Sequence, residues 1–135
     1  VLQKTSDNHQ SNFYIEMDRP FCICTDPVIT TPSGDTNYNN GDRIEAMMTI
    51  DNYKPKKVVF DVESVFEDGT YLLKPKYYPS LRYAEIIKIK FAQNVELDDM
   101  LFNTKGMSNA MKQSERICFS EYNLEPEAMK ETNRI

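Results

Sequence analysis

Between residues 43 and 91, apolar side chains return at every second position, the period of a strand buried on one face and wet on the other. Ile44, Ala46, Met48 and Ile50 share a face, while Arg43, Glu45 and Thr49 take the other and Met47 is the exception. Residues 57–65 repeat the pattern, with Val58, Phe60 and Val62 inward and Asp61 and Glu63 outward. In residues 82–91, Ile87, Ile89 and Phe91 oppose Lys88 and Lys90. A helix fits that stretch poorly, because the charges at 85, 88 and 90 would spread around its circumference. Polar turns punctuate the rows at 51–55 and 67–70, where Asp68-Gly69 is a tight-turn pair.

The rest of the chain reads in the same terms. Phe13, Ile15 and Met17 form an inward row, and Phe21-Cys22-Ile23-Cys24 a short strand after Pro20. Val28-Ile29-Thr30 lies between Pro27 and Pro32, so a strand there is short or at an edge. Residues 32–42 are turn formers almost throughout, with Tyr38 alone among them. Tyr71-Leu72-Leu73 is stopped by Lys74-Pro75. Residues 97–102 fit a strand or a turn of helix, 105–113 a loop or short helical turn, and 115–122 a last strand with Ile117 and Phe119 on one face. Glu125-Pro126-Glu127 opens a helix, proline suiting the first turn and the acids its positive end. The expected organisation is a polar tail over 1–12, a β-sandwich over 13–124 and a short C-terminal helix or tail over 125–135. Six to eight short strands joined by polar turns point to an antiparallel sandwich.

Charge and composition limit the task. Sixteen Lys+Arg against 21 Asp+Glu give a formal charge of −5, which opposes phosphate binding, so nucleic acid is not an expected partner. No apolar run reaches the roughly 18–20 residues of a membrane span. The four glycines are too scattered for a phosphate loop, and no Gly-x-Ser-x-Gly elbow is present. The one histidine, His9, falls in the tail, away from any nucleophile it would serve and too alone for a zinc site. Asp35 and Asp42 flank a loop that lacks the terminal acid of a calcium-binding hand. No cofactor, metal or catalytic role is expected.

Three cysteines, Cys22, Cys24 and Cys118, do not make a closed disulfide framework. They are expected to be small buried thiols in a reducing compartment, the alternative being a Cys22–Cys118 or Cys24–Cys118 bridge in a secreted protein. The 11 asparagines include no Asn-x-Ser/Thr acceptor, which leans toward the cytoplasm.

The layout from Gly41 to Phe91 resembles the major sperm protein domain. That family has a strand ending near Asn, a strand of the form Phe-x-Val, an apolar pair before x-Pro, and a strand of alternating apolar residues. Asn52, Phe60, Val62, Leu72, Leu73, Pro75, Ile87 and Ile89 occupy those places. The family's acidic-peptide receptors carry basic residues around the Phe-x-Val strand. This chain has Asp61 and Glu63 there, so acidic-motif capture is not carried over. The resemblance implies an all-β, immunoglobulin-like antiparallel β-sandwich of about seven strands, acting as a non-enzymatic structural or docking module.

The residues themselves supply candidate contacts. Lys54, Lys56 and Lys57 form a basic corner around Pro55, against the ordinary alternative of a solvated turn. Tyr71, Tyr77, Tyr78 and Tyr83 gather near Pro75 and Pro79, and Tyr38 stands in the long loop. Tyrosine is enriched at interfaces, although each of these also suits a sandwich edge. The expected function is protein binding, a second copy of the chain included among the partners. The alternative is a secreted or surface sandwich that binds a host factor or other ligand.

Overall fold

The computed structural model describes residues 2–7, 10–18, 21–24, 26–78 and 80–121. Its strands are β1 (Leu2–Thr5), β2 (Asn12–Ile15), β3 (Met17–Asp18), β4 (Ile23–Cys24), β5 (Val28–Pro32), β6 (Arg43–Ile50), β7 (Lys56–Val65), β8 (Thr70–Pro75), β9 (Ile86–Phe91) and β10 (Met100–Asn103), and one helix follows, α1 (Met107–Glu121). The protein is mostly antiparallel β with a C-terminal helix. Eight strands form one continuous sheet in the order β1-β2-β5-β8-β7-β6-β9-β10, while β3 and β4 make a separate hairpin.

The two edges of this sheet meet. Asp7 N–H donates to the Leu101 carbonyl at 3.0 Å and Leu101 N–H to Ser6 Oγ at 3.2 Å. The sheet is therefore nearly a barrel, with its eight strands paired in one continuous series. Curling suits the sequence, because every main strand carries a single apolar row. Ile44, Ala46 and Met48 face Val58, Phe60 and Val62, Ile87 and Ile89, Tyr71 and Leu73 in one buried cluster. An eight-stranded barrel has an interior just wide enough for side chains to fill. Phe13 packs on Phe102 and Phe60 on Phe91, with ring centroids 5.6 and 5.9 Å apart.

Two expectations change. Leu2–Thr5, read as tail, forms β1. Backbone pairing needs no apolar row, and Gln3 and Thr5 both donate to the Asn12 side-chain oxygen. Val28–Pro32 is short as expected, yet it lies inside the sheet between β2 and β8.

Residues 115–122 are not a strand. Met107, Met111 and Cys118 are the buried residues of α1, and their spacing of four and seven is the helical period. Dividing this stretch into a loop and a strand hid that period. Gly106, at φ 85°, makes the left-handed turn into the helix. The expected C-terminal helix over 125–135 lies outside the described residues.

Candidate functional site

The two ends of the barrel differ. One is formed by residues 6–7 and 10–11 and the loops 33–42, 66–69 and 92–99. Ser33 N–H bonds the Gly69 carbonyl, Gly41 N–H that of Val62, and Ala92 N–H that of Glu45. These loops carry Asp7, Asp35, Asp42, Glu67, Asp68, Glu96, Asp98 and Asp99 and no lysine or arginine. Several of these acids fix turns. Asp42 accepts from Asn39 N–H at 2.7 Å and Asp68 from Thr70 N–H at 3.0 Å. Among the described residues no group of three or more His, Cys, Asp or Glu is placed to hold a metal ion.

The other end is capped by α1, the β3–β4 hairpin, the 51–55 turn and the connection formed by residues 76–78 and 80–85. Met107 and Met111 of α1, with Leu81 and Ala84 of the connection, join the barrel core. A chain of specific contacts ties these pieces together. Cys22 and Cys118 form a disulfide with Cα atoms 5.5 Å apart, clamping the hairpin to the helix. Arg82 Nη2 meets Glu115 Oε1 at 3.1 Å. Tyr78 Oη donates to Asp26 Oδ1 at 3.0 Å. Asp51 Oδ1 accepts from the amides of Glu85 and Ile86, at 3.0 and 2.9 Å. The disulfide replaces the expectation of three free thiols. The odd count left one cysteine over, Cys24, without preventing the other two from pairing.

Burial shifts two groups at this end. Burial, followed by the hydrogen bond to Asp26, pushes Tyr78 up to about 12. Burial and then the Glu115 carboxylate push the Cys24 thiol up, against a smaller opposing pull from Arg82. The thiol also donates toward Glu115 Oε1 at 4.0 Å. A protonated thiol is a weak nucleophile, so this arrangement works against chemistry at Cys24.

This end also exposes large apolar and aromatic side chains. Phe21 on the hairpin, Tyr53 on the turn, Tyr77 and Tyr83 on the connection and Ile117 on the helix are all exposed, Tyr77 to 76%. Lys112 Nζ lies 5.8 Å above the centre of the Tyr83 ring, a cation–π contact. Backbone strain collects here too. Of the four non-glycine residues with positive φ among those described, Cys22 (59°), Asp51 (50°) and Tyr77 (38°) belong to this end. Such conformations persist only where surrounding contacts hold them, and they cluster at functional sites.

The residues expected to meet a partner divide between the ends. Tyr77 and Tyr83 stand exposed at the capped end, where Lys54 on the turn and Lys56 at the start of β7 are exposed too. Tyr78 is half-buried and spends its hydroxyl on Asp26. Lys57 points to the outer wall and pairs with Glu45 at 3.0 Å.

Tyr71 is a correction. It is 1% exposed, and its hydroxyl binds Thr36 Oγ1 at 2.9 Å and the Tyr38 amide at 2.8 Å. Tyr38 packs edge-on against it, with ring centroids 6.1 Å apart. Both tyrosines anchor the long loop at the acidic end, the far end of β8 from Tyr77. Phe21, Tyr53 and Ile117 went unnoticed as contacts. Phe21 and Ile117 read as strand residues and Tyr53 as part of a turn, and nothing local reveals a disulfide that brings positions 21 and 117 together. No protein-family model, curated protein or solved structure matches this chain.

Proposed function

We propose that the chain is a non-enzymatic protein-binding module whose contact face is the helix-capped end of the barrel. One observation carries this reading: Phe21, Tyr53, Tyr77, Tyr83 and Ile117 project from a single end whose backbone is clamped by a disulfide. Aromatic anchors on a rigid support are the usual centre of a protein interface, because they bury much area at little entropic cost. A second copy of the chain is one such partner. The resemblance of residues 41–91 to the major sperm protein domain would imply the same class of role. On that resemblance the fold would be a variant of the immunoglobulin-like sandwich.

A specific observation favours a second reading of the setting. Disulfides persist in oxidising compartments, and Cys22–Cys118 closes most of the chain. On that reading the module is secreted or surface-held and its partner is a host factor or other ligand. Counting thiols in the unreduced, unfolded protein separates the settings: one favours the oxidising compartment, three the cytoplasm.

Photo-cross-linking tests the contact face. A photoreactive phenylalanine is placed at Tyr77 or Tyr83, and as a control at Asp35 on the acidic end, and the protein is irradiated in its native extract. Protein adducts at 77 and 83 but not at 35 support the proposal. Adducts at 35 alone, or at none of the three, overturn it.

A further inference from the structure

The inward row of β7 begins with a charge. Lys56, Val58, Phe60 and Val62 share one face of the strand, and Lys54 continues that parity into the turn. Lys56 stands directly across from buried Met48 in the β6–β7 register. Inward-pointing lysines are a known device for blunting sheet edges. That explanation fails here, because β7 is flanked on both sides by β8 and β6.

These two lysines open onto a hollow at the mouth of the barrel. Its volume is about 230 Å³, and Met48, Ile50, Tyr53, Lys54, Lys56 and Ser80 line it. Beside the lysines the lining offers two apolar side chains, one aromatic ring and one hydroxyl, and no carboxylate. Neither lysine forms an ion pair among the described residues. The larger groove on the outer wall, of about 630 Å³, differs in this respect: its Lys88 and Lys90 share the lining with Asp7 and Asp99.

We infer that the barrel mouth is a binding site for a small anionic amphiphile, a carboxylate on a short apolar body. The carboxylate sits between the ammonium groups of Lys54 and Lys56, and the apolar body lies over Met48 and Ile50 beside the Tyr53 ring. A ligand pocket is mostly apolar, with a few convergent polar groups that fix orientation, and barrel mouths are a common place for one. The hollow holds the volume of about eight liquid waters, which limits the body to a short chain or a single ring.

Octanoate is the probe, and octanamide its neutral control of similar shape. The oxidised full chain, labelled with ¹⁵N, is titrated with each while amide shifts are followed. Octanoate is expected to give saturable shifts at Ile50, Tyr53, Lys54, Lys56 and Ser80, with octanamide binding at least tenfold more weakly. The Lys54→Gln, Lys56→Gln double variant changes only exposed side chains, and its spectrum away from the site reports that it is folded. It is expected to lose at least tenfold in octanoate affinity. Absence of saturable shifts, equal affinity for octanamide, unchanged affinity in the variant, or shifts centred on Met47 and Leu101 would each overturn the assignment.

Discussion

Cys22 and Cys118 are 96 residues apart in sequence and bonded to each other in space, so one covalent link joins the hairpin at the start of the domain to the helix at its end. Cross-linking so long a loop removes much of the unfolded chain's freedom, a contribution of about 2–5 kcal/mol. The Cys22→Ser, Cys118→Ser variant should lose stability in that range, measured by urea unfolding against the oxidised protein. A loss under about 1 kcal/mol would mean the helix cap holds without its clamp. Cys24 should remain the single thiol that titrates once the oxidised chain is unfolded.

Tyr71 and Tyr38 give a second expectation, at the opposite end. The Tyr71 hydroxyl is buried and serves the Tyr38 amide and Thr36 Oγ1. Tyr71→Phe keeps the ring and strands that amide, at a cost of about 1–3 kcal/mol. Amide exchange should quicken across the 33–42 loop, while the capped end keeps its protection. A variant as stable as the parent would mean that water replaces the hydroxyl.

Tyr78 gives the fold an alkaline limit. Its folded value is raised to about 12 from an ordinary value of about 10, first by burial and then by its bond to Asp26. The unfolded chain therefore releases this proton before the folded chain does. The contribution is fully present below about pH 10 and is lost as pH rises toward 12. Tyr78→Phe should flatten that part of the stability profile and remove a tyrosine that ionises near 12 from an ultraviolet titration. An unchanged titration would contradict the raised value of Tyr78.

Gly106 tests the entry into α1. It has φ 85°, and a Cβ there would meet nothing within 4 Å. Gly106→Ala should thus cost only backbone strain, about 1–2 kcal/mol, with no clash to relieve. Thermal melts of the two proteins measure it, and an equal midpoint would contradict the left-handed turn.

Much of the fold could be read from alternation alone. The rows at 44–50, 58–62 and 87–91 are β6, β7 and β9, with the inward residues the pattern assigned. Alternation reports which side chains point inward, but not how far a sheet curls. Two facing layers and one rolled sheet bury the same residues. The difference lies in the meeting of Ser6, Asp7 and Leu101, which are polar or backbone contacts with no sequence period. The helix was lost because its buried positions are methionines and a cysteine spread over about three turns, among polar residues that suit a loop. The site was half legible. Tyr77 and Tyr83 announced themselves as aromatics near prolines, whereas Phe21 and Ile117 come together only through the disulfide.

Residue-level oxidation footprinting of the protein, free and bound to whichever partner cross-links, tests the contact face most directly. Phe21, Tyr77 and Tyr83 should be shielded in the complex while Phe66, exposed beside the acidic loops, reacts as before. Shielding of Phe66 with unchanged oxidation at the capped end would contradict the account.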